Sequence, residues 1–337
     1  MINEELILPI PKSTEFPKIN GKFFSQDILS LDQFDPISID LLFNITVHMG
    51  EIARNAKVSN YLAGNIATLL FYEPSTRTRG SFDAATKQLG GQTIVVENPQ
   101  QFSSVAKGET FGDTIKTFEA YCDLIILRHP EVGAAQKAAK AAEFVPIINA
   151  GDGIGEHPTQ ALLDLYTIFE KKHTLSGKKG LIVGDIKNGR TIHSLLRGLS
   201  LFKNNTVYLL SPEQLKLQRP LLEDLSQKGL KIFEISQESE IPRDCDFWYW
   251  TRVQKERFQD QAEFERLKHS FIATPQLLQK YGNDEMILMH PLPRVGEISE
   301  EVDSDPRAVY LRNQIRNGMY IRMALLGLVL GKIPARL

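Results

Sequence analysis

Residues 66–91 read IATLLFYEPSTRTRGSFDAATKQLGG, and their order decides the fold. Ile66 to Glu73 is a largely apolar run of strand character, and Pro74 interrupts it. The polar loop PSTRTR, residues 74–79, then opens a helix. That helix carries Phe82, Ala85 and Leu89 at spacings of three and four, and Gly90-Gly91 closes it. The unit is strand, polar loop, helix.

Working outward, the same alternation recurs. Strands are predicted at Gln92 to Glu97, 123–128 and 145–149, with helices from Thr110 to Tyr121 and over the Ala-rich stretch 134–142. After a long helix from about His157 to Lys172, which reads as a bridge, the pattern repeats. Strands at 179–184, 205–210, 230–235 and 245–251 alternate with helices near 190–202 and 219–228. A late strand, Met286 to His290, precedes a closing helix from about 310 to 331. In that helix Met319, Met323, Leu326 and Leu330 form a core-facing stripe. Strands separated by helices of this length require crossover connections. The fold class is therefore α/β, with two doubly wound parallel-sheet domains joined by long helices. The first 20 or so residues, rich in Pro, Lys and Asn, read as an arm.

Size and composition agree with two domains. A chain of 337 residues is long for one core, and 42% hydrophobic against 24% charged residues can build two. A formal net charge of −2 sets no overall field, which argues against a nucleic-acid binder and leaves anion binding to local arginine clusters. Cys122 and Cys245, each beside an Asp, are too few for a disulfide framework and read as ordinary buried thiols. The opening MINEELILPIPKSTEFPKIN lacks a basic-then-apolar leader pattern. No apolar stretch reaches about 18 residues, so no membrane span is expected. The cytoplasm fits best.

The loop at 74–79 carries the chemistry. A helix N-terminus presents unpaired N–H groups and the positive end of a dipole. Ser75, Thr76 and Thr78 add hydroxyls, and Arg77 and Arg79 add guanidinium forks matched to phosphate oxygens. A plain helix cap at Ser75 or Thr76 with solvated arginines is the bland alternative. Three hydroxyls interleaved with two arginines exceed what capping needs.

Other segments stay ambiguous on spacing alone. Arg128, in LRHP, ends a strand, where ligands of parallel sheets bind, and would equally suit a surface position. Pro158 fits a first helical turn, leaving His157 at the cap with its ring free to face a cleft or to serve structure. Residues 184–191 read G-x-x-x-x-G-R-T, one residue from the nucleotide-binding P-loop, with Arg190 where that motif requires Lys. TRVQKER, 251–257, could be a solvated charged loop, and HPLPR, 290–294, a turn stiffened by two prolines. Loop 103–109 reads as polar surface.

Taken together, these segments resemble one family. S-T-R-T-R after an apolar strand is similar to the carbamoyl-phosphate loop of the aspartate and ornithine carbamoyltransferases. The likeness runs from about residue 24 to 331 through KGET at 107–110, LRHP at 127–130, NAGDG-x-x-x-HPTQ at 149–160, GD-x-K-x-GRT at 184–191, TRVQKER and HPLPR. Singly weak, these motifs are specific in this order and spacing.

The resemblance implies a carbamoyl-phosphate domain at 23–160, completed by the C-terminal helix 310–334, and an aspartate domain at 161–309, after an arm at 1–22. It implies transfer of the carbamoyl group of carbamoyl phosphate to L-aspartate, the committed step of de novo pyrimidine (UMP) synthesis. Carbamoyl phosphate would meet Ser75, Thr76, Arg77, Thr78, Arg128, His157, Gln160 and the carbonyls of Pro291 and Leu292, with Leu292–Pro293 cis. Aspartate would meet Arg190, Arg252, Gln254 and, from a neighbouring subunit, Ser103 and Lys107. Thr78, Arg128, His157 and Lys107 are the implied catalytic set. Sites shared in this way imply a homotrimer. No metal or organic cofactor is implied. A regulatory chain or a pyrimidine-pathway enzyme is a conceivable partner.

Three alternatives remain at this level. An ornithine-type enzyme shares the phosphate loop, but its Cys is absent from the segment His290-Pro291-Leu292-Pro293, and a cationic acceptor would not suit Arg190 and Arg252. A non-catalytic scaffold sits poorly with an intact loop, His157 and Lys107. The nucleotide binder fails at Arg190.

Overall fold

The computed structural model describes residues 16–55, 59–102, 104–253, 261–267 and 270–334. The chain divides into two compact units: the first runs to Gly155 and resumes at Arg322, and the second spans Glu156–Ile321.

In the first unit α1 (Pro36–Arg54) precedes β1 (Ile66–Phe71), α2 (Thr76–Gln88), β2 (Gln92–Glu97) and the short α3 (Pro99–Phe102). Then come α4 (Phe111–Glu119), β3 (Leu124–His129), α5 (Ala134–Ala141) and β4 (Ile147–Asp152). The strands form one parallel sheet in the order β2-β1-β3-β4. Leu70, Ile125, Leu127 and Ile147 of the sheet share a buried cluster with Ala135, Ala138 and Ala139. Alanines on α5 let its backbone lie close to the strands. At the edge, β2 is only partly buried, which suits its mixed composition QTIVVE.

Helix α1, 19 residues long, was not anticipated. Its signal is present in Asp35-Pro36: the Asp35 carboxylate accepts from the Ser38 N–H at 2.7 Å and Pro36 occupies the first turn.

The second unit contains α6 (Pro158–Lys172), β5 (Lys179–Val183), α7 (Arg190–Ser200), β6 (Thr206–Leu210), α8 (Arg219–Gln227), β7 (Lys231–Ile235) and β8 (Phe247–Trp250). It continues with α9 (Gln261–Leu267), α10 (Pro275–Tyr281), β9 (Ile287–Met289) and α11 (Asn313–Val329), within which the division between units falls. Its parallel sheet has the order β7-β6-β5-β8-β9. All four residues of β8, FWYW, are buried, as befits a strand flanked on both sides by others. Trp248 and Trp250 pack with Leu181, Val183, Leu288 and Tyr310.

Both sheets are all-parallel with helices between strands, the α/β class expected. Helix α11 departs from the expected stripe. Met319 and Leu330 are half-buried, whereas Tyr320–Val329 is buried without interruption. A helix buried all round has no face for a periodicity argument to find. Cys122 is half-buried, and only Cys245 is buried as anticipated. Among the described residues no helix is long and apolar enough to cross a membrane.

One glycine fixes how β5 ends. Gly184 has φ +120°, and a Cβ there would stand 2.3 Å from the Thr251 carbonyl oxygen at the end of neighbouring β8. Gly184→Ala is expected to cost about 2–3 kcal/mol, from the forced left-handed backbone and the displaced carbonyl. Urea unfolding of the two proteins side by side measures it.

Candidate active site

In the first unit the phosphate-type loop leaves the carboxyl end of β1. Ser75 is the N-cap of α2 but makes no side-chain capping hydrogen bond. The hydroxyl is therefore not consumed by the helix, and capping does not explain the loop. Thr76 and Arg77 are exposed, Ser75 is half-buried and Thr78 is 6% exposed. Parallel pairing sets Phe71 beside Arg128 on β3, and the Tyr72 N–H donates to the Arg128 carbonyl at 2.8 Å. The Arg128 guanidinium thus emerges at the same sheet edge as the loop. It lies 3.3 Å from a Glu73 carboxylate oxygen and donates to the Ala150 carbonyl at 3.4 Å, which restrains it. Five of the expected residues, Ser75, Thr76, Arg77, Thr78 and Arg128, are brought to one edge. Arg79, the other arginine of the loop, is paired with Glu97 of β2 at 2.7 Å.

At that edge β4 ends in Gly151-Asp152-Gly153. The Gly153 N–H donates to the His129 carbonyl at 2.8 Å, and the Asp152 carboxylate accepts from the Gly133 N–H at 2.9 Å. His129 packs against Tyr72, with ring centroids 4.5 Å apart, and burial lowers its pKa from the ordinary 6.5. Its Nδ1 accepts from the Glu131 N–H. A neutral ring in this position shapes the loop instead of adding charge.

In the second unit three neighbouring strands, β5, β8 and β9, lead at their carboxyl ends to the segments that carry Arg190, Arg252 and Pro291-Leu292. Beyond β5 comes the turn to α7, where Gly189 is the N-cap and Arg190 the first helical residue. Asp185 is fully buried and its carboxylate accepts from the backbone and side-chain N–H groups of Asn188, which fixes the turn. His193 reaches back to the Ile186 carbonyl at 2.8 Å. Beside β5, Thr251 at the end of β8 donates through both N–H and hydroxyl to the Val183 carbonyl, and Arg252 follows half-buried. Next comes β9, leading into His290-Pro291-Leu292, with Leu292–Pro293 cis as expected.

The 290–297 turn is braced internally. Buried His290 accepts at Nδ1 from the Leu292 N–H at 2.7 Å, so its proton lies on Nε2, 2.7 Å from buried Glu297. Burial acts to raise the Glu297 carboxyl, but hydrogen bonds from His290 and from backbone N–H groups outweigh it and hold the pKa below the ordinary 4.5. Arg294 forks onto Asp303 and so anchors the turn.

His157 is the N-cap of α6, with Pro158 in the first turn, and its N–H donates to the Ser194 hydroxyl at 3.3 Å. Its side chain is not an open one: the residue is 4% exposed. One turn on, Gln160 Nε2 donates to Asp164 Oδ1 at 3.0 Å. The same oxygen accepts from Gln314 Nε2 at 2.7 Å, and Gln314 Oε1 accepts from the His290 N–H at 3.0 Å. Asp164 Oδ2 accepts from the Tyr249 hydroxyl at 2.8 Å.

Lys107 is exposed at the end of a short helical turn, Ser104–Lys107. Ser103 and Gln254 lie outside the described residues. Sequence reasoning passed over Asp164, Gln314 and Glu297. Asp164 stands four residues after Gln160, a same-face spacing that could have flagged the pair. Gln314, 150 residues from Asp164, gave no signal. As for nucleophiles, burial pushes the Cys245 thiol up to about 12, which rules out a reactive thiolate there.

Both units match family models. Residues 26–170 match the carbamoyl-P binding domain of aspartate/ornithine carbamoyltransferase, and residues 176–329 match its Asp/Orn binding domain. The multifunctional protein pyr1-3 of Dictyostelium discoideum is 47% identical over 318 residues, 94% of this chain but only 14% of that protein's length. A chloroplastic aspartate carbamoyltransferase 3 of Pisum sativum is 46% identical over 310 residues, 92% of this chain and 78% of that one. The structure of aspartate transcarbamoylase from Trypanosoma cruzi in complex with carbamoyl phosphate and aspartate superposes with a TM-score of 0.85 at 38% identity, covering 94% of this chain and all of that one. With both units matched and close relatives along nearly the whole sequence, the chain belongs to the aspartate/ornithine carbamoyltransferase family.

Proposed function

We propose that the chain catalyses carbamoyl phosphate + L-aspartate → N-carbamoyl-L-aspartate + phosphate, the committed step of de novo pyrimidine synthesis. The observation that carries this is the pairing of Arg190 and Arg252 after adjacent parallel strands β5 and β8, two forks for the two carboxylates of one small acceptor. The names of the relatives agree with it. A cationic acceptor such as ornithine would face two like charges.

In this reading the first unit binds carbamoyl phosphate and the second binds aspartate. Ser75, Thr76, Arg77, Thr78 and Arg128 hold the phosphate; Gln160 and the carbonyls of Pro291 and Leu292 accept from the carbamoyl NH2. Arg190, Arg252 and Gln254 hold aspartate, with Ser103 and Lys107 contributed by a neighbouring copy in a homotrimer. The unprotonated amine of aspartate attacks the carbamoyl carbon. The carbonyl oxygen becomes an oxyanion stabilised by Thr78, Arg128 and His157. The C–O bond to phosphate then breaks, phosphate takes the electron pair, and the proton shed by the amine nitrogen passes to the departing phosphate. Positioning and electrostatics supply the rate, with no covalent enzyme intermediate.

Two free thiols support placement in the reducing cytoplasm. A segment so similar within a multifunctional protein supports a pathway enzyme as partner, with a regulatory chain as the other candidate. The test offers purified protein carbamoyl phosphate with L-aspartate or L-ornithine in parallel. Carbamoylated product is expected with aspartate alone, and product with ornithine alone would sink the reading.

A further inference from the structure

We infer that Asp164 is a positioning residue: its carboxylate orients Gln160 and, through Gln314 and the His290 backbone, the Pro291–Leu292 carbonyls, so that every acceptor for the carbamoyl NH2 shares one anchor. This rests on the proposed carbamoyl transfer and adds to it a residue that touches no substrate.

The argument begins with polarity. A side-chain amide can turn over and exchange its donor for its acceptor end. An ionised carboxylate only accepts, so an amide facing it must present NH2. Asp164 Oδ1 takes Nε2 of Gln160 at 3.0 Å and Nε2 of Gln314 at 2.7 Å. Both amides are thereby set. Gln160 turns Oε1 away from Asp164, leaving it to accept from a donor. The Oε1 of Gln314 meets the His290 N–H at 3.0 Å, and that residue opens the cis-proline turn.

The anchor is built to be rigid. Asp164 is fully buried and Gln314 is 2% exposed, so water does not compete for these bonds. The other oxygen, Oδ2, is held by the Tyr249 hydroxyl at 2.8 Å. Burial first, and the nearby Asp164 next, raise the Tyr249 pKa well above 10.0, so the hydroxyl stays a donor throughout the working pH range. His290 itself is clamped on its ring side by the Leu292 N–H and Glu297. The turn is thus held from the backbone by Gln314 and from the ring by Glu297.

The carbamoyl NH2 needs acceptors alone, and a flipped Gln160 would set donor against donor. Loss of Asp164 should therefore damage carbamoyl recognition while sparing the phosphate subsite, whose proposed residues Ser75, Thr76, Arg77, Thr78 and Arg128 lie in the other unit. A residue of purely structural importance would weaken both together.

The experiment measures steady-state kinetics with varied carbamoyl phosphate, inhibition by inorganic phosphate, and thermal unfolding, on the wild type, Asp164→Leu, Asp164→Asn and Gln314→Leu. Asp164→Leu is expected to lose about 100-fold in kcat/KM for carbamoyl phosphate, and Gln314→Leu about ten-fold, with the phosphate inhibition constant within about two-fold of wild type. Asp164→Asn should recover most of the loss, because Oδ1 can still accept from both glutamines while Nδ2 donates to a Tyr249 hydroxyl that has reversed its hydrogen. If Asp164→Leu does not fold, Gln314→Leu and Asp164→Asn decide. A folded Gln314→Leu protein with unchanged KM and kcat overturns the inference, as does phosphate inhibition weakening in step with KM. Were the wild type itself to transfer nothing to aspartate, the proposed reaction would fall first and the inference with it.

Discussion

Arg128→Ala is expected to lower kcat/KM for carbamoyl phosphate by about 10³- to 10⁴-fold, the largest effect of any single substitution here. In the proposed reaction two roles converge on this guanidinium: it would meet the phosphate and also the oxygen that becomes an oxyanion. Each is a charge-assisted contact, and removing one oxyanion donor alone costs about 10²- to 10³-fold. The fork is positioned before substrate arrives, because β3 carries it to the loop edge and Glu73 and the Ala150 carbonyl restrain it. Little reorganisation is then needed when charge develops. Arg128→Lys keeps the charge but loses the planar fork and should recover only part of the loss. Arg79 is the control: it sits in the same loop yet is paired with Glu97, and Arg79→Ala should change rates by under about five-fold. Initial rates at saturating aspartate measure all three. An Arg128→Ala enzyme retaining a tenth of wild-type kcat/KM would remove Arg128 from the mechanism.

The contrast between Arg79 and Arg128 also shows what sequence could and could not reveal. The alternation of apolar runs and helical periods made both parallel sheets legible, because a strand buried on both faces must be apolar along its length, as FWYW at 247–250 is. Within S-T-R-T-R, however, spacing treats Arg77 and Arg79 alike. Only the neighbouring strand decides between them, by placing Glu97 within reach of Arg79. Arg128 stands at the far end of the same difficulty. A strand-terminal arginine has no local mark of function, and its meaning comes from registering with Phe71 of β1. The family resemblance supplied these roles without supplying their cause. Asp164 escaped for a similar reason, since three of its partners come from three segments, Gln160, Tyr249 and Gln314, and the pattern exists only once the chain is folded. Helix α1 was missed although Asp35-Pro36 is a strong N-terminal signal, because polar Ser38 and Thr46 lie on its buried face while apolar Ile37 is exposed.

A second large effect is expected from mixing two inactive proteins. Lys107 is exposed on its short turn and is followed by Gly108 with φ +94°, a loop carrying its cation outward. If that lysine serves aspartate bound to the next copy, Lys107→Ala should lose about 10³-fold in activity, comparable to Arg128→Ala. Each variant alone has no intact site. In mixed oligomers a site is whole when the chain supplying Arg128 is the Lys107→Ala protein and the neighbour supplying Lys107 is the Arg128→Ala protein. At equal proportions and random exchange, each condition holds for half the positions, so about one quarter of sites are rebuilt in any closed ring. Activity should climb from about a thousandth to about a quarter of wild type, peaking at the equal mixture and falling with either component in excess. Sedimentation of the wild type should give three times 38.0 kDa. A site built wholly within one chain gives the opposite result, because no mixture of the two variants then contains a chain with both residues, and the activity stays at the level of the separate proteins at every ratio.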